Sequence, residues 1–596
     1  MAGAQDTVWI CQVCGYEHVG GAPPDECPVC GVGPEEFSPQ DAGGDAAGEA
    51  EGSSTDARTV SDVMIETMIR WGVTHVFGMV GHSNLGVADA IRRRVESGDL
   101  TYIGVRHEGA AAFAASSFGK LTGRPAACLS IAGPGATNLL TGMYDAKVDR
   151  SPLLALTGQV NTQVLGPGAF QEIPTAEAFS AVAEWSQTVI APGNATELMA
   201  LAVKHAVVQR DVAHLIFPDD VQELPGVEDP PARPRAGRIS TTAITPPPQD
   251  MAHAIELLER SARPVIVAGA GARADRAAVI ELAEHIDAPV ITTFKAKGLI
   301  GDDHPLGCGV LGRSGTPVGS AVMGKSDCLL VLGASFSNHT GISRNKPTIQ
   351  VDLDRMALGK FHPVDVPLWG EIGTTVDLLR RRLDPVARPE QRSDVASRWE
   401  RWRVEKDKRA AMVDSRGAMH PAAVFAALSG IVPDNAVIPV DVGNNTYAFG
   451  HYFESSSSQD VLMSGYLGSI GFALPAALGA WSAVRGSRKI VSISGDGGLG
   501  QYLADFTTAV KYQMAITHVV LNNDELAKIS REQVGALRPV WQTDLVNPDF
   551  SEFARLCGGA GFRIETTADL EEGLQAALAV EGKPSLVEIR TSGRWV

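Results

Sequence analysis

Short apolar runs, each closed by a glycine-containing turn and followed by an amphipathic stretch, recur along the chain from Arg58 onward. The runs at 74–79, 102–105, 126–131 and 153–156 are too short for buried helices and lack the alternation of a half-exposed strand. Parallel strands buried on both faces and joined by crossover helices produce this rhythm. It returns at 265–268, 290–292, 328–332 and 349–351, and a third time at 436–440, 489–494 and 517–521. Proline-rich joints at 229–234 and 246–248 and a polar stretch at 384–394 separate the three rounds. The expectation is an α/β fold with three doubly wound domains, at 58–228, 249–384 and 411–596, joined by linkers at 229–248 and 385–410.

The first 57 residues differ in kind. They hold eleven acidic side chains and no Lys or Arg, which leaves −7 of the net −18 for the other 539 residues. Such a charge balance excludes nucleic acid as a partner, since phosphates need a basic footprint. With no apolar run of about 18 residues, no membrane span is expected. The opening ten residues lack the basic and apolar regions of a signal peptide, so a cytoplasmic location is expected. The acidic head either docks on a basic partner surface or is only kept soluble by its charge. Residues 39–57, rich in Gly, Ala, Ser, Asp and Glu, read as a flexible acidic linker.

Four of the eight cysteines fall in that head, as Cys11-x-x-Cys14-Gly15 and Cys27-x-x-Cys30-Gly31. Each pair sets two thiolates on a tight turn whose glycine permits positive φ. Two facing turns close a tetrahedral four-sulfur site suited to zinc or iron. Cys128, Cys308, Cys328 and Cys557 stand in apolar surroundings and read as core residues. The stretch from Trp9 to Phe37 resembles the short rubredoxin domain of rubrerythrins, through Cys14-Gly15-Tyr16, Pro23-Pro24, Cys27-Pro28-Val29-Cys30-Gly31 and Glu35-Glu36-Phe37. That resemblance implies a one-electron iron centre in residues 1–38, against a zinc knuckle that only folds the head.

In the third round, the apolar run 489–494 leads into Gly495-Asp496-Gly497-Gly498 and a helix expected over 499–512. The next run ends in Asn522-Asn523, with 24 residues between Gly497 and Asn522. Both strand ends of a parallel sheet open on one edge, so Asp496 and Asn523 converge on one crevice. Glycines there let backbone N–H groups approach a diphosphate at a helix start. A carboxylate with an amide oxygen suits a hard cation such as Mg²⁺. Alone, Gly-Asp-Gly would be an ordinary strand–helix turn.

The paired Asn522-Asn523 at this spacing resembles the motif of the thiamine diphosphate enzymes. The resemblance implies Asp496, Asn523 and the Glu525 carbonyl as Mg²⁺ ligands, and Gly495, Gly497 and Gly498 as cofactor contacts. Within Leu467-Gly468-Ser469-Ile470-Gly471-Phe472, Ile470 occupies the place of the residue that wedges the cofactor into a bent shape. Asp441-Val442-Gly443-Asn444-Asn445 resembles the family's diphosphate-side loop, bringing in Gly443 and Asn444. In the first domain Glu108, in Arg106-His107-Glu108, matches the catalytic glutamate that meets the cofactor's pyrimidine ring nitrogen. Gly133-Pro134-Gly135-Ala136-Thr137-Asn138 and Thr157-Gly158-Gln159 match as well, and Phe170-Gln171-Glu172 puts Gln171 on the substrate side. His82 lies on the first strand-to-helix loop, as an acid/base group or a solvated structural histidine. The domains would then be a Pyr domain, a central domain and a diphosphate domain, with each site shared between subunits of a homodimer or homotetramer.

Within the family the chain is most similar to pyruvate oxidase and quinone-linked pyruvate dehydrogenase, then to acetolactate synthase, whose central domains hold FAD. Gly312, in Gly309-Val310-Leu311-Gly312-Arg313-Ser314-Gly315, resembles a flavin-phosphate loop, and Asp352 ends a strand where an acid can meet ribose. The segment 333–340 lacks the arginine that flavin-binding relatives often carry after the phenylalanine, here Phe336, so an empty central domain is the alternative to FAD. The expected function is decarboxylation of a pyruvate-like 2-oxoacid, oxidative through FAD to the rubredoxin iron and on to an external redox partner. Carboligation to acetolactate, with the head as a redox sensor or accessory module, is the alternative.

Overall fold

The computed structural model describes residues 7–39, 58–227, 235–337 and 339–595. The linker expected at 39–57 lies outside the described residues except for Pro39, as do the joint at 229–234 and Asn338 of the 333–340 segment. The chain divides into two compact units, residues 1–57 and 58–596, and each is described by itself.

In the head, strand Thr7–Cys11 is the centre of a three-stranded antiparallel sheet, flanked by Glu17–Gly20 and Phe37–Pro39. Its small core is Cys11, Cys27 and Phe37, with Trp9, Tyr16 and Val32 packed against them.

The body contains three six-stranded sheets in which every pairing is parallel. The first runs Thr101–Gly104, His75–Gly78, Ala126–Ser130, Leu153–Gln159, Val212–Pro218, Trp185–Thr188 across the sheet. The third runs Asp460–Leu462, Val437–Pro439, Ile490–Gly495, Ile516–Asn522, Ser585–Arg590, Ala560–Ile564. Numbered by chain order, both read 2-1-3-4-6-5, so the first and third domains share one topology. The middle sheet, built on Pro264–Ala268, reads 3-2-1-4-5-6, the order of dinucleotide-binding folds. Where strand order reverses, the strands' carboxyl ends leave a crevice. In the third sheet that point lies between Val437–Pro439 and Ile490–Gly495, the strands that lead into Asp441 and Asp496.

Helices Glu108–Thr122 and Ala473–Val484 join the first and third domains face to face. Both are rich in alanine and buried, and a Cβ at Gly479 would lie 2.0 Å from the carbonyl oxygen of Ala114. Two expectations change in detail. The segment 385–410 is largely a 22-residue helix, Pro389–Ala410, because Val395, Trp399 and Trp402 form an apolar stripe buried in the core. The single helix expected over 499–512 is three short ones, Asp496–Gln501, Leu503–Asp505 and Phe506–Lys511, broken at Tyr502, which leaves the helical region at φ −131°.

Candidate active site and metal centre

The four head thiolates lie within 4.8 Å of one another, the one such cluster of His, Cys, Asp or Glu among the described residues. Sγ of Cys11 is 3.6 Å from that of Cys30, and Sγ of Cys14 is 3.5 Å from that of Cys27. The two turns are copies of each other: Gly15 N–H donates to Cys11 O and Gly31 N–H to Cys27 O, each at 2.9 Å. Both glycines sit at φ +73°. Cys11 and Cys27 are buried while Cys14 and Cys30 are exposed, so one edge of the site faces solvent. Soft thiolates converging in this way suit a tetrahedral metal ion.

Along the carboxyl edge of the third sheet, strands Ile490–Gly495 and Ile516–Asn522 are direct neighbours, with Gly495 opposite Leu521. Asp496 is buried at a helix start, and burial raises its pKa against hydrogen bonds from Asn547, Gly497 and Asp524. Asn547 Nδ2 donates to Asp496 Oδ2 at 2.8 Å and also reaches Asn522 Oδ1 and Asp524 Oδ1. Asn523 Oδ1 accepts from Glu525 N–H at 3.0 Å, which folds the chain back after the strand. Gly497 and Gly498 have no room for a side chain: a Cβ would lie 2.6 Å from Leu526 Cδ2 or from Asp441 Oδ2.

Asp441 ties these loops together. Its carboxylate accepts Val442 N–H at 2.7 Å and Gly471 N–H at 2.9 and 3.1 Å, with Phe472 and Ala473 N–H as further donors. Burial nonetheless pushes its pKa up to about 7. The 468–473 turn is thereby held beside the Gly443-Asn444 loop, and Ile470 remains partly exposed at its tip. Gly443, at φ +138°, opens helix Asn444–Tyr452. Asn444 Oδ1 accepts from Arg531, while its buried Nδ2 has no partner.

In the first domain Glu108 is buried at the start of its helix and accepts from Asn138 Nδ2 at 3.0 Å. The turn at 133–135 links it to Gln171. A Cβ at Gly135 would be 3.0 Å from Glu108 Oε1, and one at Gly133 would be 2.8 Å from the Gln171 carbonyl oxygen. Gln171 holds a strained φ of +62°, and its buried Oε1 has no hydrogen-bond partner. Glu172 fixes this loop by accepting the N–H groups of Gly166, Gly168 and Ala169. Exposed Phe170 stacks on exposed His82 at 6.4 Å. Glu108, Gln171 and His82 thus share the edge of the first sheet, and among the described residues no hydrogen bond joins them to the third domain.

The central-domain candidates stand apart from each other. Gly312, at φ +95°, packs against the carbonyls of His339 and Thr340 and borders a cavity of about 320 Å³ with Arg313, Ser320, Met323 and Gly341. Asp352, whose pKa burial raises, spends Oδ1 on Asp354 N–H. The 312–315 turn meets the third domain where a Cβ at Gly450 would lie 2.0 Å from the Ser314 carbonyl oxygen.

Residues 58–179 match the family described as "Thiamine pyrophosphate enzyme, N-terminal TPP binding domain". Residues 251–379 match its central domain and 441–589 its C-terminal TPP binding domain. A putative thiamine pyrophosphate-containing protein of Bacillus subtilis is 33% identical over 89% of this chain and 91% of its own. The chain belongs to the thiamine pyrophosphate enzyme family. A probable acetolactate synthase large subunit of Methanococcus aeolicus is 30% identical over 87% of this chain and 90% of its own. A pyruvate oxidase of Lactiplantibacillus plantarum is 27% identical over 89% of this chain and 88% of its own. Residues 9–38 match "Rubrerythrin, rubredoxin-like domain", which makes the four-cysteine cluster a rubredoxin-like metal site fused to a thiamine pyrophosphate enzyme.

The residues fit the family's cofactor: Asp496 and Asn523 bring hard oxygen atoms to one sheet edge, and Asn444 Nδ2 and Gln171 Oε1 are buried polar atoms with no protein partner. Sequence reasoning singled out neither Asn547 nor Arg531. Asn547 had a signal in Asn547-Pro548-Asp549 just ahead of helix Phe550–Leu556. Arg531 had none, because its contact with Asn444 spans 87 residues.

Proposed function

We propose that this thiamine diphosphate enzyme decarboxylates a pyruvate-like 2-oxoacid oxidatively, with Mg²⁺, the acyl group passing to water. The two electrons released pass by way of FAD, one at a time, to iron at Cys11, Cys14, Cys27 and Cys30, which an external partner reoxidises between transfers. The observation that carries this is the presence of a rubredoxin-like four-cysteine site and thiamine pyrophosphate enzyme domains in one chain. Oxidation of the substrate needs an acceptor, and this chain holds one. When bound, thiamine diphosphate supplies the carbon nucleophile and the electron sink for loss of CO₂.

Glu108 holds a proton at the cofactor's ring nitrogen, with Asn138 fixing its carboxyl group. Asp496, Asn523 and the Glu525 carbonyl hold Mg²⁺ through hard oxygen donors. Ile470 would press against the cofactor from the 468–473 turn, while Gln171 and His82 would stand on the substrate side. The turn at Gly312 and the strand end at Asp352 receive FAD, whose phosphates Arg313 and Ser320 suit. Glu108 and Asp496 meet across subunits of a homodimer or homotetramer, and an external partner reoxidises the head.

An anaerobic visible spectrum, with thiamine diphosphate and Mg²⁺ present, tests the proposal. Added pyruvate bleaches the ferric and flavin bands in the native protein and leaves them in Glu108→Gln. Bands that persist while CO₂ and acetolactate form support the second reading, a carboligase with the head as a redox sensor. The acetolactate synthase relatives and the missing arginine after Phe336 favour that reading. If pyruvate yields neither bleaching nor CO₂, it is excluded as the substrate.

A further inference from the structure

Arg531 lies on helix Ala527–Gly535, eight residues beyond Asn523. It is half-buried, and burial pulls its pKa down, so the guanidinium carries a desolvation cost. Among the described residues no carboxylate lies within 4.0 Å of it, the limit for an ion pair. Its neighbour Lys528, by contrast, is paired with Glu532. The hydrogen bond that Arg531 does make goes to the neutral Oδ1 of Asn444. That amide's Nδ2 is itself buried without a partner. A guanidinium with no carboxylate in ion-pair range, on which Glu525 acts only from a distance, and an unused amide donor therefore meet at one loop.

That loop resembles the family's diphosphate-side loop. Asn444 follows Gly443 at the start of helix Asn444–Tyr452, and a Cβ at Gly495 would lie 3.7 Å from Asn445 Oδ1. Leu526, at the foot of the Arg531 helix, covers Gly497. Helix Ala527–Gly535 thus touches both the Gly-Asp-Gly turn and the 443–445 loop. A divalent cation shared with Asp496 leaves a diphosphate only partly neutralised, and a planar guanidinium matches phosphate oxygens in fork geometry.

We propose that Arg531, together with the Asn444 amide, binds the diphosphate of thiamine diphosphate directly. This rests on the reading that the diphosphate lies between the 443–445 and 495–498 loops. Asn444 then serves twice, orienting the guanidinium through Oδ1 and donating to phosphate through Nδ2.

Binding to the full-length protein tests it, read by quenching of tryptophan fluorescence, with Mg²⁺ held constant. Arg531→Gln weakens thiamine diphosphate by about tenfold to a hundredfold, the value of a charged hydrogen-bond pair. It weakens competition by inorganic diphosphate to a similar degree and leaves the weaker binding of thiamine unchanged. Arg531→Lys, which keeps the charge and loses the fork, falls between, and it serves if the glutamine variant does not fold. Equal losses for all three ligands indicate a structural role and overturn the proposal. So does an unchanged thiamine diphosphate affinity, including one accompanied by a raised KM for the oxoacid. Failure of the native protein to bind thiamine diphosphate at all overturns instead the placement of the diphosphate between these loops.

Discussion

At the scale of single residues, two buried histidines clasp strands together, one in the third sheet and one in the first. His518 bridges Ser492 and Ser494, and His214 bridges Thr157 and Ser186, each with both ring nitrogens occupied. Burial pushes both histidines down to about 3, so they stay neutral clasps between strands at physiological pH. Asp441 is the counterpart that titrates. Its folded pKa, raised by burial to about 7, lies above the ordinary carboxylate value of about 3.9. The folded state therefore keeps a proton that the unfolded chain gives up. This contribution to stability is whole below about pH 4, falls by up to about 1.4 kcal/mol per pH unit as pH rises, and levels off above about pH 7. The thermal midpoint of the native protein is expected to drop more between pH 5 and pH 8 than that of Asp441→Asn. Parallel pH dependence in the two proteins would refute this account.

Among elements, the contact of helices Glu108–Thr122 and Ala473–Val484 matters most, because each helix starts beside a candidate site residue, Glu108 in one and Ile470 in the other. Their alanine faces bring the backbones close, and Ser117 Oγ donates across to the Ala476 carbonyl at 2.8 Å. Gly479 is the closest approach, and a methyl group there would overlap the Ala114 carbonyl oxygen. Gly479→Ala forces the helices apart at a cost of roughly 1–3 kcal/mol, despite alanine's better helix propensity. Urea unfolding is expected at lower concentration for this variant, and the reverse shift would show that propensity outweighs packing.

For the whole molecule, a buried ion cluster joins the three body domains. Lys120 contacts Asp145 and Asp149 of the first domain and the Met463 carbonyl of the third, while Lys295 of the central domain also contacts Asp149. Against the cost of burial, the two lysines hold the Asp149 carboxyl well below its usual range. The body is one compact unit, while the head has its own sheet and core. Deleting residues 1–57 should remove the iron, measured by elemental analysis, and leave thiamine diphosphate affinity and the body's thermal midpoint unchanged. A weaker affinity after deletion would mean that the head contributes to the site.

Much of this architecture was legible in residue order, since local rules carried it. Strands 290–292 and 328–332 fall where the apolar runs place them, and the cysteine turns follow from the glycine after each pair. The Gly-Asp-Gly and Asn-Asn spacing foretold neighbouring strands because a parallel sheet aligns its carboxyl ends. What stayed hidden depends on residues far apart in the chain. The 385–410 segment reads as a linker opening on a polar stretch, and only its docked neighbours show why Trp399 and Trp402 drive it into a helix. The Asp441 carboxylate gains its role from N–H groups 30 residues away, and Arg531 finds Asn444 across 87. By itself the sequence determined the three body sheets and the four-cysteine site, because those rest on periodicity and short-range turns, whereas the candidate cofactor residues rest on resemblance to the family. Tertiary structure alone decided which buried charges are satisfied and which are left open, because desolvation depends on every group packed around them.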